Sequence, residues 1–118
     1  MLDDSHGDVL LVVVRGEHDI YTAPALRDRL DEAMAAGPVG VVVDLSGATF
    51  LDSSILGGLL EARRQAIERS MGYVVCLGED PEPGVARILE ITGLVPVFPV
   101  VRSHEDALDA ARSAPADA

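Results

Sequence analysis

The sequence predicts an α/β layered domain: about four strands in a largely parallel or mixed sheet, packed with about four helices. Three observations carry this. Short apolar runs alternate with amphipathic stretches along the whole chain, an order that builds parallel sheets with crossover helices. The first run, Val9 to Val14, holds six apolar residues in a row, four of them Val, which is the pattern of a strand buried on both faces. Capping residues and Gly or Pro stops mark off the segments between the runs. The 118 residues form one domain, with no repeat, linker or low-complexity block. Residues 1–7 and 113–118 are expected to fray, being polar or small.

Each element follows in order. Thr22-Ala23-Pro24 opens the first helix, with Thr22 the expected N-cap and Pro24 tolerated in the first turn. Leu26, Leu30, Ala33 and Met34 form its inner face, and Gly37-Pro38 ends it. Val41 to Leu45 is the second strand, and Ser46 to Asp52 is expected as a loop. A second helix runs from about Ser53 to Arg69, its apolar stripe read as Leu56, Leu59, Leu60, the Arg63 stem and Ile67, with Gly72 as its stop. Tyr73 to Leu77 is the third long strand. The turn Glu79 to Pro83 leads into a third helix from Pro83 to Thr92, which closes at Gly93 with Leu94 packing back on Leu89. Val95 to Val101 is a short or edge strand, because Pro96 and Pro99 cannot donate to a ladder. Ser103 with Asp106 resembles a capping box for a last helix to about Arg112.

Composition excludes several function classes. The net charge is −11, from nine basic and twenty acidic residues. Such acidity argues against nucleic acid or anionic membrane as a partner and suits a protein partner with a basic face. All nine basic residues are Arg. Without Lys there is no P-loop, no Schiff base and no phospho-aspartate receiver of the usual kind. The one cysteine, Cys76, lies in the apolar run Tyr73 to Leu77 and reads as a small buried residue. No stretch approaches the roughly 20 apolar residues of a membrane span. The acidic N-terminus does not read as a signal peptide, so a cytoplasmic protein is expected.

The chemistry concentrates at Asp52-Ser53-Ser54, where a strand passes into a helix. A serine there either caps the helix or offers its hydroxyl for modification, since a helix start tolerates a phosphate dianion. Of the three histidines only His18 can lie near Ser53, and no Gly-x-Ser-x-Gly elbow surrounds that serine, so no hydrolase is assigned. Asp19, Asp44 and Asp52 all fall at strand-exit or helix-start loops. Three acids there can hold magnesium weakly, but capping is their ordinary role. No metal set and no cofactor is assigned. Gly57 and Gly58 sit early in the second helix, each costing up to about 1 kcal/mol against Ala. Either close packing of that helix on the sheet or close approach of a partner offsets the cost.

Three ordered segments carry a family likeness. Gly16-Glu17-His18-Asp19 followed by Thr22-Ala23-Pro24, then Val43-Asp44-Leu45-Ser46 through Phe50-Leu51-Asp52-Ser53-Ser54 and Leu56-Gly57, and finally Thr92-Gly93-Leu94, together resemble the STAS-domain anti-sigma factor antagonists of bacteria. The likeness implies a non-enzymatic partner switch. An anti-sigma factor with a histidine-kinase-like ATPase fold phosphorylates the serine after the Asp, here Ser53. The unphosphorylated antagonist binds that kinase and frees the sigma factor, and a phosphatase resets the switch. It also implies that the loop around Asp19 and Thr22 and the face formed by Asp52, Ser53, Ser54, Ile55, Gly57 and Gly58 meet the kinase. Ile55 stands where the family most often has Gly, and a β-branched residue there is expected to crowd a kinase active site. Alternatives are a scaffolding module in a signalling or transporter assembly, and a small-anion or nucleotide binder using the helix start at Ser53.

Overall fold

A computed structural model describes residues 3–6, 8–93 and 100–113. The elements run β1 (Asp3–His6), β2 (Val9–His18), α1 (Ala23–Ala35), β3 (Gly40–Leu51), α2 (Ser53–Glu68), β4 (Gly72–Cys76), α3 (Pro83–Ile91), β5 (Val100–Val101) and α4 (His104–Ser113). The sheet has strand order β1-β2-β3-β4-β5. β2 to β5 are parallel, and β1 is antiparallel to β2. The α/β reading holds, with one strand more than expected. Asp3–His6 was expected to fray and instead pairs with Val9–Val12. An edge ladder is made by backbone groups, so it does not require apolar side chains.

Strand alternation splits the core into two layers. Val12, Val14, Val41, Val43, Tyr73 and Val75 face α1, α2 and α3. Val9, Leu11, Val13, Val42, Val74 and Cys76 face α4. Parallel strands added in sequential order by right-handed crossovers put every connecting helix on one face, leaving the other to the C-terminal helix. α4 lies very close to the sheet. A Cβ at the register partners Gly40 and Gly72 would meet the Ala111 carbonyl oxygen at 2.5 and 2.1 Å. Gly72 is therefore a packing residue and not the stop of α2. That stop is Ser70, at φ 55°, with Ser70 N–H donating to the Ile67 carbonyl (3.2 Å) and Met71 N–H to the Ala66 carbonyl (2.9 Å), a Schellman ending.

Three further expectations change. Residues 46–51 are not a loop: β3 continues to Leu51 because Gly47–Leu51 pairs with Arg15–His18, past register shifts flanking Gly16 (φ 78°). The buried stripe of α2 is Ile55, Leu56, Leu59, Ala62 and Ala66, while Leu60 is exposed. The stripe is turned because α2 packs on α1 as well as on the sheet, and small Ala side chains allow the approach. Gly93 takes the left-handed conformation expected past α3 (φ 72°), but the contact expected from Leu94 and the segment 95–99 lie outside the described residues.

Candidate functional site

The long β3 carries its chain past β4 to Asp52, which is extended (φ −116°, ψ −177°) and is the N-cap of α2. Its Oδ1 accepts the Ser54 N–H at 2.9 Å. Capping therefore falls to Asp52 and not to either serine, and its carboxylate also opposes the positive end of the helix dipole. Relieved of capping, Ser53 stands exposed at the first helical position, and Ser54 is half-buried beside it.

The β2–α1 loop is a closed box of hydrogen bonds. Asp19 Oδ1 accepts from Tyr21 N–H (2.9 Å) and Thr22 N–H (3.3 Å), and Thr22 Oγ1 accepts the Asp19 N–H (2.9 Å). Thr22 occupies the N-cap position as expected, yet its hydroxyl bonds back to Asp19 and not forward into the helix. The box presents Ile20 and Tyr21 outward, Tyr21 at 88 % exposure. A shallow depression of about 380 Å³ joins this loop to the α2 start, lined by Ile20, Ala23, Pro24, Arg27 and Ser54. Asp19, Thr22 and Asp52 to Ser54 are therefore brought to one end of the molecule. Phe50, 49 % exposed, lies on the strand leading into that end.

Two residues of the expected face are turned away from it. Ile55 is 0 % exposed and belongs to the main core, so its side chain cannot crowd anything docked at Ser53. The third position of the helix points toward the sheet, a direction that the one-dimensional spacing from Ser53 did not reveal. Gly58 is buried too, and Gly57 half-buried. A Cβ at Gly58 would lie 3.3 Å from Arg27 Cγ, and one at Gly57 3.4 Å from the Arg27 guanidinium. Gly58 thus makes room for the Arg27 stem of α1 and not for the sheet, while Gly57, half-buried, meets only the Arg27 guanidinium at ordinary contact distance. Sequence reasoning missed Arg27, Ile20, Tyr21 and Phe50. The exposed apolar residues beside Asp19 and Asp52 were a visible signal, whereas nothing local marks Arg27.

The remaining candidates separate. His18 is buried, with Nε2 2.8 Å from the Arg15 carbonyl oxygen, so it tethers the irregular strand end. Asp44 Oδ1 accepts the Ser46 N–H, much as Asp19 and Asp52 serve their own turns. The three acids do not converge. Among the described residues the one group of three potential metal-ligating side chains is Asp44, Cys76 and His104.

Among curated relatives, an anti-sigma F factor antagonist of Paenibacillus polymyxa is 31% identical over 106 residues, covering 89% of this chain and 88% of that protein. The anti-sigma-F factor antagonist RsfB of Mycobacterium tuberculosis is 32% identical over 108 residues, covering 91% and 84%. Among solved structures, an anti-sigma factor antagonist from Mycobacterium paratuberculosis superposes with a TM-score of 0.85 at 34% identity, covering 95% and 92%. Unphosphorylated SpoIIAA shares the fold, with a TM-score of 0.78 at 20% identity over 94% of this chain and 95% of that one. Residues 3–107 match the STAS domain, and the chain is a member of that family.

Proposed function

We propose that this chain is an anti-sigma factor antagonist switched by phosphorylation of Ser53. Unphosphorylated, it binds an anti-sigma factor that is also a serine kinase, through the end built from the Asp19–Thr22 box and the start of α2, and a sigma factor is released. Phosphorylated, it lets go, and a phosphatase resets it. The protein acts by binding, in the cytoplasm. The observation that carries the reading is the position of Ser53: exposed, at the first position of a helix capped by the preceding Asp52, and adjoining Ser54, which shares one depression with the exposed Ile20. The apolar side chains suit a docking surface, and the serine within it is where added charge disrupts docking. A phosphate on Ser53 stands beside the Asp52 carboxylate, so two like charges face the partner. The rival scaffolding reading drew on Ile55, and that support goes with the burial of Ile55.

Incubation with a cognate anti-sigma kinase and ATP should place one phosphate on Ser53. Ser53→Ala should abolish it and Ser54→Ala should not. Label on Ser54 or elsewhere, or none with a kinase that binds, would sink the assignment. Ser53→Asp should weaken binding, and unchanged affinity would put the interface elsewhere.

A further inference from the structure

On the opposite sheet face from α2, three metal-ligating side chains meet. Asp44 of β3 and Cys76 of β4 are register partners, facing α4 at the carboxyl ends of the strands where the four-strand ladder stops. His104, the first residue of α4, hangs over them with Nε2 2.9 Å from Asp44 Oδ2. One donor atom from each of the three lies within 4.8 Å of the others. Asp44 and Cys76 are buried, and the His104 side chain is 56% exposed.

A latch between His104 and Asp44 explains the imidazole and the carboxylate but not the sulfur. Both anionic donors are also already oriented from behind. Ser46 N–H holds Asp44 Oδ1 at 2.9 Å, leaving Oδ2 toward His104. The Gly78 N–H is directed at the Cys76 sulfur. Those two strand-exit turns abut: a Cβ at Gly78 (φ 79°) would sit 2.8 Å from Ser46 Cβ. Backbone donors behind carboxylate and thiolate ligands are the usual outer support of a metal site.

We propose that Asp44, Cys76 and His104 form a binding site for a borderline-soft divalent transition metal of the zinc class, with a fourth position open to water. One carboxylate, one imidazole and one thiolate match the donor preference of zinc and not that of magnesium or calcium, which take oxygen ligands. Charge balances as well: carboxylate and thiolate neutralise the dication, so the buried site carries no net charge. Zinc–ligand bonds of about 2.0–2.3 Å set tetrahedral donors roughly 3.3–3.7 Å apart, so the wider separations close by up to about 1 Å while the 2.9 Å Asp44–His104 hydrogen bond opens slightly and is replaced by two metal bonds. His104, exposed and at a helix start, is the residue free to move. Binding replaces the thiol proton of Cys76 with the metal–sulfur bond, and that proton goes to solvent. Because the thiol must lose its proton to bind, metal affinity rises with pH. The bound ion joins β3, β4 and α4 at one point.

The test uses the full chain, a phosphine reductant and Co2+ as spectroscopic probe. One equivalent of Co2+ should give the strong visible absorption of a tetrahedral site together with a sulfur-to-cobalt charge-transfer band, both displaced by one equivalent of Zn2+. Cys76 is the only cysteine, so that band reports this site alone. Cys76→Ser should remove the band. His104→Ala, a change at an exposed position, should weaken Zn2+ binding by at least the roughly tenfold that even an outer supporting partner carries. Zn2+ should raise the unfolding temperature of the parent by more than that of either variant. A weak octahedral Co2+ spectrum, a two-chain stoichiometry, or Zn2+ affinity unchanged in folded His104→Ala would overturn the proposal.

Discussion

Replacing Ile55 by Ala separates two roles for the residue that follows the serine pair. If Ile55 faced a docked kinase, truncating it would relieve crowding and leave stability nearly unchanged. Its side chain is 0 % exposed, in one cluster with Leu26, Leu51 and Leu59, all at 4% exposure or less. Removing buried methylene and methyl groups costs the lost transfer energy plus a cavity term, about 2–5 kcal/mol for Ile to Ala. Helix propensity returns only a few tenths of that. Because the neighbours come from β3, α1 and α2, each fixed by its own ladder or helix bonds, little collapse into the cavity is expected, and about 3–4 kcal/mol is the working value. For a domain of this size that lowers the unfolding temperature by roughly 10–15 °C. Urea unfolding should show a lower midpoint at unchanged slope. The rate at which a kinase phosphorylates the folded fraction should match the parent. A variant as stable as the parent that is phosphorylated faster would refute the inward placement of Ile55.

Four further outcomes test other parts of the fold. Asp52→Ala should cost about 1 kcal/mol in urea unfolding through loss of the cap on Ser54 N–H, and no loss would mean that α2 is not capped there. Gly72→Ala should cost about 3 kcal/mol, since a Cβ at 2.1 Å from the Ala111 carbonyl forces α4 off the sheet, whereas Gly84→Ala, with nothing within 4 Å, should be neutral or stabilising; equal effects would refute the close seating of α4. Ser70→Gly should add about 1 kcal/mol by relieving the left-handed residue at the end of α2, measured by the same urea titration. The last concerns alkaline pH. Burial pushes both the Tyr73 hydroxyl and the Cys76 thiol up, so the neutral forms belong to the folded state. Their contribution is complete below the unfolded values of about 8.5 for Cys and 10 for Tyr. Above pH about 10 the unfolded chain loses the Tyr73 proton while the folded one keeps it, and this group alone should lower stability by up to about 1.4 kcal/mol per pH unit. Tyr73→Phe should remove that share of the slope and leave the Cys76 share, and a slope unchanged in the variant would refute the burial argument.

The α/β class, the order of strands and helices and the Asp52-Ser53-Ser54 junction are legible in the residues alone. These rest on local signals: apolar runs, 3.6-residue periodicity, caps and stops, each read within a few residues. The family resemblance, drawn from three short segments, agreed with the matched domain. Pairing and direction were decided only in three dimensions. β1 and the second half of β3 exist because β2 offers them free backbone groups, and neither has an apolar run of its own. Gly57, Gly58 and Gly72 looked like helix irregularities or stops. Each proved to be a place where another element comes close: the Arg27 guanidinium at Gly57, the Arg27 stem at Gly58 and the Ala111 backbone at Gly72. Ile55 lay two residues from Ser53 along the chain but on the other side of the helix. Asp44, Cys76 and His104 are far apart in sequence and meet only because β3 and β4 are in register and α4 crosses over them. A sequence records which backbone conformation a residue favours. Which neighbour it meets depends on sheet register and helix seating, and those follow from contacts between distant segments.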